Sequence, residues 1–193
     1  MALSAATRFR AETYARPETI WMDVVIKEPE NIKAWFNLSA VFLTLDQPEE
    51  ARLAAEKAHE ANRIFQLPWI EAKYHRMLGL LEEKQQKWNE AESHFSQAVK
   101  LQPDFLDARA DLARILIRLN RPAEVLPMLD SPGGSSQLPL EAAVWRTIAL
   151  VRLGRLEEAE ISSVPVERAK ALDPIVEEAR QLMRQEFSKK PAG

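Results

Sequence analysis

The chain has 193 residues, of which 46% are hydrophobic and 28% are charged, and its formal net charge is −3. This composition is that of a folded protein, and the acidic balance excludes a global basic field for nucleic acid or anionic lipid. The absence of cysteine excludes disulfides, thiolate metal sites and a cysteine nucleophile. No apolar run approaches the length of a membrane span, and the N-terminus lacks the apolar core of a secretory signal. We therefore expect a cytoplasmic protein or a soluble domain of a membrane-anchored one.

Residues 1–31 predict a truncated pair of helices. Pro17 is placed to open a helix with Glu18 in its first turn, and Pro29 is placed to end it. Residues 3–14 give either a short frayed helix or a disordered leader, since Arg8 and Arg10 interrupt any apolar face.

Residues 32–67 predict a complete pair of amphipathic helices with a polar turn at residues 46–50. The first helix carries apolar residues at helical spacing, namely Trp35, Leu38, Val41, Phe42 and Leu45. The second carries a close-packing seam of small residues, namely Ala51, Ala54, Ala55 and Ala58. About six residues more than elsewhere separate this pair from the next. We expect this excess in the second helix or its exit loop, around residues 62–68.

Residues 68–105 contain the clearest pair, KYHRMLGLLEEKQQKWNEAESHFSQAVKLQP from Lys73 to Pro103. Its two helices are expected to face each other through Leu78, Gly79 and Leu81 on the first and Ala91, Phe95 and Ala98 on the second. The small residues allow the two axes to approach closely, and the large ones fill the space between them. Pro103 ends the second helix.

Two further pairs are predicted at residues 106–139 and 140–172. In the first of these, Pro122 and Pro127 indicate a short second helix before the Ser- and Gly-rich loop of residues 131–137. In the second, Gly154 makes the turn, and we expect residues 162–165 to interrupt the second helix. Residues 173–188 are amphipathic and predict a C-terminal capping helix, with residues 189–193 disordered.

The same residue types recur at a fixed period along these pairs. The slot of Ala91 recurs at Pro17, Ala51, Val125 and Ala159, in steps of 34, 40, 34 and 34 residues. The slot of Gly79 recurs at Ala5, Ser39, Ala113 and Thr147. Leu-Gly, Ala, Phe, Ala and Pro at these spacings resemble the tetratricopeptide repeat (TPR), a 34-residue helix-turn-helix unit. The resemblance implies an all-α fold, an α-solenoid with a right-handed superhelix, about four and a half repeats and a C-terminal capping helix.

The resemblance also implies a binding groove, because the first helices of successive TPR units line a concave surface that typically receives a peptide or partner helix. The family's groove-facing positions correspond to twenty residues of this sequence, of which seven are basic and three are acidic. We expect the partner contacts to come from Lys33, Phe36, Lys73, Arg76, Leu80, Lys84, Arg114, Ile117, Arg118, Val144 and Arg152. Such a groove favours an acidic segment with apolar anchors. The alternative is a solvated face whose arginines pair with neighbouring acids such as Glu83 and Asp107.

The five tryptophans divide into two groups. Four of them occupy positions near repeat slots and are interpreted as packing residues, namely Trp21, Trp35, Trp88 and Trp145. Trp69 follows Pro68 in the irregular extension and belongs to no repeat slot. It is a candidate exposed contact, since tryptophan is enriched at interaction hot spots.

No group of residues has the spacing of a catalytic or metal site. The three histidines lack metal-ligand spacing, and Gly133-Gly134 is not followed by a phosphate-binding lysine. The paired acids Glu49-Glu50 and Glu157-Glu158 are the acidic first turns of second helices. We therefore predict a chain that is not an enzyme and holds no cofactor or metal.

The function that the resemblance implies is a protein-protein interaction scaffold, with a protein or peptide as partner, no nucleic acid and no insertion into a membrane. Two alternatives stay open. The segment TIWMDVVIKEPENIKAWFNLS resembles soluble TPR tails of larger membrane-bound glycosyltransferase-like proteins, which suggests a tail of such a protein or of an assembly protein. Self-association through exposed end repeats is the other.

Overall fold

The computed structural model describes residues 16–130 and 138–168, together with positions 177, 180, 181, 184, 185 and 188. Within these residues every element is helical, which confirms the all-α fold class. The expected leader at residues 3–14, the loop at 131–137 and the tail at 189–193 lie outside the described residues, as does most of the expected capping helix at 173–188. The chain forms two compact units, Met1–Lys87 and Trp88–Gly193.

The first unit contains four helices within its described part: α1 (Pro17–Lys27), α2 (Ile32–Thr44), α3 (Pro48–Asn62) and α4 (Pro68–Lys84). Proline opens α1, α3 and α4, where its fixed φ suits the first helical position and no donor is lost. Asn31 caps α2, and its side chain accepts the N–H of Ala34 at 3.0 Å. Each helix packs on the next, and α4 also contacts α2.

The second unit contains α5 (Trp88–Leu101), α6 (Leu106–Arg118), a 3₁₀ turn (Pro122–Glu124), α7 (Val125–Leu129), α8 (Leu140–Arg152) and α9 (Leu156–Arg168). Helix α6 packs against α5 and α8, the short α7 packs on both α6 and α8, and α9 packs on α8.

Helix α9 runs without a break through Pro165, so the interruption expected at residues 162–165 is wrong. A proline here removes one N–H donor and leaves the carbonyl of Ile161 without its helical partner. Ile161 is exposed, so water can take the donor's place. The helix therefore tolerates the proline.

Positions that recur at the repeat period are buried in both units. The slot of Ala91 is fully buried at Ala51, Ala91, Val125 and Ala159, whereas Pro17 in the truncated first pair is exposed. The small-residue slot is buried at Ser39, Gly79, Ala113 and Thr147. Its two hydroxyls are satisfied, since Ser39 donates to the carbonyl of Ala51 at 2.6 Å and Thr147 to that of Ala143 at 2.8 Å. The period in the sequence therefore marks the core.

The first helix of each pair ends in the same turn. The residue just beyond the C-cap of α2, α4, α6 and α8 has a positive φ, at Asp46 (61°), Gln86 (60°), Asn120 (59°) and Gly154 (74°). After α8, the N–H of Gly154 bonds the carbonyl of Val151 at 3.0 Å and the N–H of Arg155 bonds that of Leu150 at 2.9 Å. This is a Schellman motif, and equivalent bonds close the other three helices.

Exchanging the residue at this turn is expected to change stability in opposite directions at two sites. Gln86→Gly relieves a side chain held in the left-handed region and should stabilise by about 0.5 kcal/mol, net of the entropy that glycine adds to the unfolded chain. Gly154→Ala should destabilise by about 1 kcal/mol. No atom lies within 4 Å of the Cβ it would add, so the cost is backbone strain and not a clash. Urea unfolding measures both, and shifts of the same sign would contradict this account.

The six-residue excess lies mainly in α4, and not in the second helix or exit loop as expected. Helix α4 has 17 residues, whereas α2, α6 and α8 have 13 each. Proline is well suited to the first position of a helix, so Pro68 starts the helix where a loop was expected. The extra residues form an additional N-terminal turn of α4.

Candidate functional site

The predicted groove residues of the first unit lie on α2 and α4 and remain accessible. We call this set the α2–α4 face, and it consists of Lys33, Phe36, Lys73, Arg76 and Leu80. Lys33 and Lys73 are exposed, and the other three are partly buried. The face therefore combines cations in contact with water and apolar side chains that still offer surface.

One side of α4 carries most of this face. Trp69, Lys73, Arg76 and Leu80 follow one another at intervals of four, three and four residues, which places them along one side of a helix. Ile70, Met77 and Leu81 lie on other sides of the helix and are buried. The Lys73 ammonium lies 5.3 Å from the centroid of the Trp69 ring, within the range of a cation–π contact.

Two of the predicted groove cations bind backbone carbonyls of the preceding first helix. Lys84 Nζ donates to the carbonyl of Leu43 at 2.8 Å and lies 2.9 Å from a carboxylate oxygen of Asp46. Arg152 donates from a guanidinium nitrogen to the carbonyl of Ile117 at 2.8 Å. Both carbonyls lie in the last turn of a helix, where cations interact favourably with the helix dipole. Lys84 and Arg152 thus tie consecutive first helices together at the same repeat slot.

The predicted groove residues of the second unit are mostly buried. Ile117 and Val144 are 3% and 0% exposed, so neither can meet a partner in this structure. Arg114 is 9% exposed and donates to Asp111 at 2.7 Å and to Glu141 at 2.7 Å. For Arg114 the structure matches the alternative in which an arginine of this surface pairs with neighbouring acids.

Arg118 is exposed and lies against an aromatic ring. Its guanidinium carbon is 5.3 Å from the centroid of Trp88, the first residue of α5. Trp88 is partly buried beneath this contact. Trp21 and Trp35 are partly buried against the core of the first unit, and Trp145 is buried in the second unit. Trp69, in contrast, is 45% exposed.

Another side of α4 carries a structural ion pair. Glu82 accepts from Arg52 at 2.7 Å and lies 3.4 Å from the Lys87 ammonium. Burial raises the pKa of Glu82, but the hydrogen bond and charge of Arg52, with those of Lys87, lower the pKa by more, to below its ordinary value of 4.5. This carboxylate stays charged at neutral pH and links α3 to α4.

A stacked pair of rings also joins α3 to α4. His59 stacks on Tyr74 with ring centroids 4.4 Å apart, and its Nδ1 lies 3.0 Å from a carboxylate oxygen of Glu71. Glu71 in turn accepts from the buried Asn62 at 2.7 Å. These contacts stabilise the junction between the two helices.

In the part of the chain that the structure describes, no group of three or more His, Asp or Glu side chains is arranged to hold a metal ion. None of the helices in residues 16–130 and 138–168 is long and apolar enough to cross a membrane.

Two relations visible in the sequence were missed by the sequence analysis. The spacing from Trp69 to Lys73, Arg76 and Leu80 already places the tryptophan on the groove side of α4, once the helix is known to start at Pro68. Lys84 and Arg152 both end a first helix at the same repeat slot and both donate to a carbonyl of the preceding first helix, whereas Arg118 at that slot lies over Trp88. Neither relation follows from the family's groove positions alone.

Residues 83–134 match the family model of the tetratricopeptide repeat. A search of curated proteins by sequence finds no match. Among solved structures, the chain is similar to YrrB, described as a TPR protein with an unusual peptide-binding site, with a TM-score of 0.59 and 19% identity over 88% of this chain and 82% of that one. It is similar to a tetratricopeptide repeat protein from Parabacteroides merdae, with a TM-score of 0.64 and 14% identity over 93% of this chain and 66% of that one.

PilF of Pseudomonas aeruginosa has a TM-score of 0.63 and 14% identity over 88% of this chain and 72% of that one. At these identities the likeness concerns the fold, an all-α helical-repeat solenoid. The family model adds a match over residues 83–134, which include the turn and second helix of the clearest predicted pair. Residues 83–134 thus match a tetratricopeptide repeat, within a chain whose fold is that of solved tetratricopeptide repeat proteins.

Proposed function

We propose that this protein is a non-catalytic interaction scaffold, and that its α2–α4 face binds an acidic peptide or helix of a partner protein. One observation carries the proposal. Of the predicted groove positions, those on α2 and α4 combine exposed cations with accessible apolar side chains. YrrB, which shares the fold, is described as having a peptide-binding site, and this supports a peptide as the ligand class.

The charges on the α2–α4 face favour a ligand of opposite sign. Lys33 and Lys73 are exposed, and Arg76 lies one turn along the helix from Lys73 on the same side. The chain as a whole has a net charge of −3, so these cations are a local excess. Cations of this kind steer an acidic segment and donate to its carboxylates, while Phe36 and Leu80 supply apolar contact.

The proposed site is smaller than the sequence analysis predicted. Arg114 has two carboxylate partners, while Lys84 and Arg152 bind backbone carbonyls. Ile117 and Val144 are buried. We therefore do not assign these five residues to ligand contact.

A double charge reversal tests the proposal. Lys33→Glu with Lys73→Glu is expected to weaken binding of an acidic peptide by about tenfold or more, since each removed contact to a charged group is worth about 1 kcal/mol or more. Wild type is first used to select peptides from a random dodecapeptide phage library, and the enriched peptides are measured by fluorescence anisotropy. The matched control is Arg63→Glu with Lys100→Glu, which changes the net charge equally at two exposed positions outside this face.

Enrichment of peptides rich in Asp and Glu, bound by the control and lost by the Lys33→Glu/Lys73→Glu variant, is the expected result. Equal loss in both double variants would mean that overall charge, and not this face, governs binding. A library that gives no acidic enrichment would contradict the proposal directly. Circular dichroism checks that each variant keeps its helical content.

A soluble tail of a larger membrane-bound glycosyltransferase-like or assembly protein stays an alternative. It rests on the resemblance of residues 19–39 to such tails. The reading frame upstream of Met1 in the native gene tests it, because a stop codon directly upstream would rule it out. Self-association also stays a proposal, and light scattering at several protein concentrations tests it.

A further inference from the structure

We propose that the additional N-terminal turn of α4 adds an aromatic subsite to the α2–α4 face. In this subsite Trp69 and Lys73 together receive an aromatic side chain that is flanked by an acidic residue of the bound peptide. The inference rests on the proposed function and specifies the chemistry of its ligand.

Trp69 lies in the additional N-terminal turn of α4. It is the second residue of α4 and lies one turn before Lys73, on the side that continues to Arg76 and Leu80. The repeat slot of Trp69 in the preceding pair is held by Pro29, which comes before α2 begins at Ile32. The additional turn therefore gives α4 a groove-side position that α2 lacks.

Trp69 also differs from the other tryptophans in its exposure. Trp69 is 45% exposed, whereas the other tryptophans are partly or fully buried in their helix packing. Packing of the first unit therefore leaves almost half of the surface of Trp69 in water. Burial of an exposed indole by a partner contributes strongly to the binding free energy, since tryptophan offers a large flat surface with few rotatable bonds.

The pairing of Trp69 with Lys73 indicates the chemistry of the ligand. The Lys73 ammonium lies over the indole, 5.3 Å from its centroid, so a cation and an exposed ring stand together on this side of α4. An aromatic side chain of the ligand can pack on the exposed part of the ring in an offset or edge-to-face manner. A neighbouring carboxylate can then pair with Lys73. A peptide that carries both groups side by side matches this pair of residues.

The experiment repeats the library selection with wild type and three variants. Trp69→Ala removes the ring, Trp69→Phe keeps a smaller ring, and Phe65→Ala is a matched control. Phe65 is 59% exposed in the loop just before α4 and is not part of the α4 stripe. An enriched peptide and its version with the aromatic residue changed to alanine are then measured by anisotropy on each variant.

The expected result is that wild type and Phe65→Ala enrich peptides with an aromatic residue next to Asp or Glu. The aromatic residue should contribute about tenfold to affinity on wild type, and less than about twofold on Trp69→Ala, with Trp69→Phe in between. Acidic enrichment should persist on Trp69→Ala, because the cations are intact.

Three outcomes would overturn the inference. Acidic enrichment without aromatic preference on wild type would leave the proposed function standing and remove the subsite. An aromatic preference that survives Trp69→Ala would place the aromatic contact elsewhere. If wild type instead sediments with mixed phosphatidylcholine and phosphatidylserine vesicles, and neither Trp69→Ala nor Phe65→Ala does so, the exposed aromatics serve a membrane interface.

Discussion

Arg114→Ala is expected to destabilise the protein by about 3 kcal/mol, because it removes a cationic partner of the nearly buried Asp111 carboxylate. The Asp111 side chain is only 3% exposed and the Arg114 side chain 11%, so water cannot replace the lost guanidinium fully. The distances from Arg114 to Asp111 and Glu141 are both 2.7 Å, which is typical of charge-assisted hydrogen bonds. Urea unfolding followed by circular dichroism measures the change.

A double variant separates loss of the ion pair from loss of packing. Asp111→Leu combined with Arg114→Met replaces the charges by apolar groups of similar size, and should recover about half or more of the loss, since such replacements of buried pairs are often near neutral. Arg52→Ala serves as a comparison, because the side chain of Arg52 is 31% exposed in its pair with Glu82 and should cost about 1 kcal/mol. If Arg114→Ala proved as mild as Arg52→Ala, the structural role of Arg114 would be wrong.

The structural contacts of Arg114 make it unsuitable for testing ligand binding. Charge reversal at Arg114 would unfold or loosen the second unit, and lost binding could then not be assigned to ligand contact. Lys33 and Lys73 avoid this difficulty because both are exposed. A variant series for the α2–α4 face should therefore omit Arg114.

Phe95→Ala is expected to destabilise the protein by about 3 to 5 kcal/mol, the range for removing a fully buried aromatic ring from a core. Phe95 is 0% exposed on α5, and the residues at the same repeat slot in the neighbouring pairs, Ala55 and Leu129, are also buried. The loss combines the transfer of the ring to water with the cavity that remains. The urea midpoint should fall with little change in slope, since the surface exposed on unfolding is nearly the same in the variant and in wild type.

Phe65→Ala is the matched control for this prediction. It removes the same ring from a side chain that is 59% exposed, and we expect a change within about 0.5 kcal/mol. A loss at Phe95 below about 1 kcal/mol, or equal losses at both positions, would mean that the repeat period does not mark the core.

The sequence by itself determined the repeat and its core. The 34-residue period identifies the slots of Ala91 and Gly79, and each described position of both slots is buried except Pro17 in the truncated first pair, which is exposed. This works because the packing of paired helices demands small or apolar residues at fixed intervals, and such a demand leaves a one-dimensional trace. Prolines at the starts of α1 and α3 are likewise local signals, whereas Pro68 at the start of α4 was expected in a helix end or loop.

Only the tertiary structure decided which of the predicted groove positions are exposed and which are buried or paired. The family's pattern places Lys73, Lys84, Arg114 and Arg152 alike on first helices, but their surroundings differ. Lys73 is exposed beside Trp69, Lys84 and Arg152 bind carbonyls of the preceding helix, and Arg114 is buried between carboxylates. The period tells which side of a helix a residue occupies. Exposure and charge pairing depend on neighbours from other helices, and these are set by three-dimensional packing rather than by spacing along the chain.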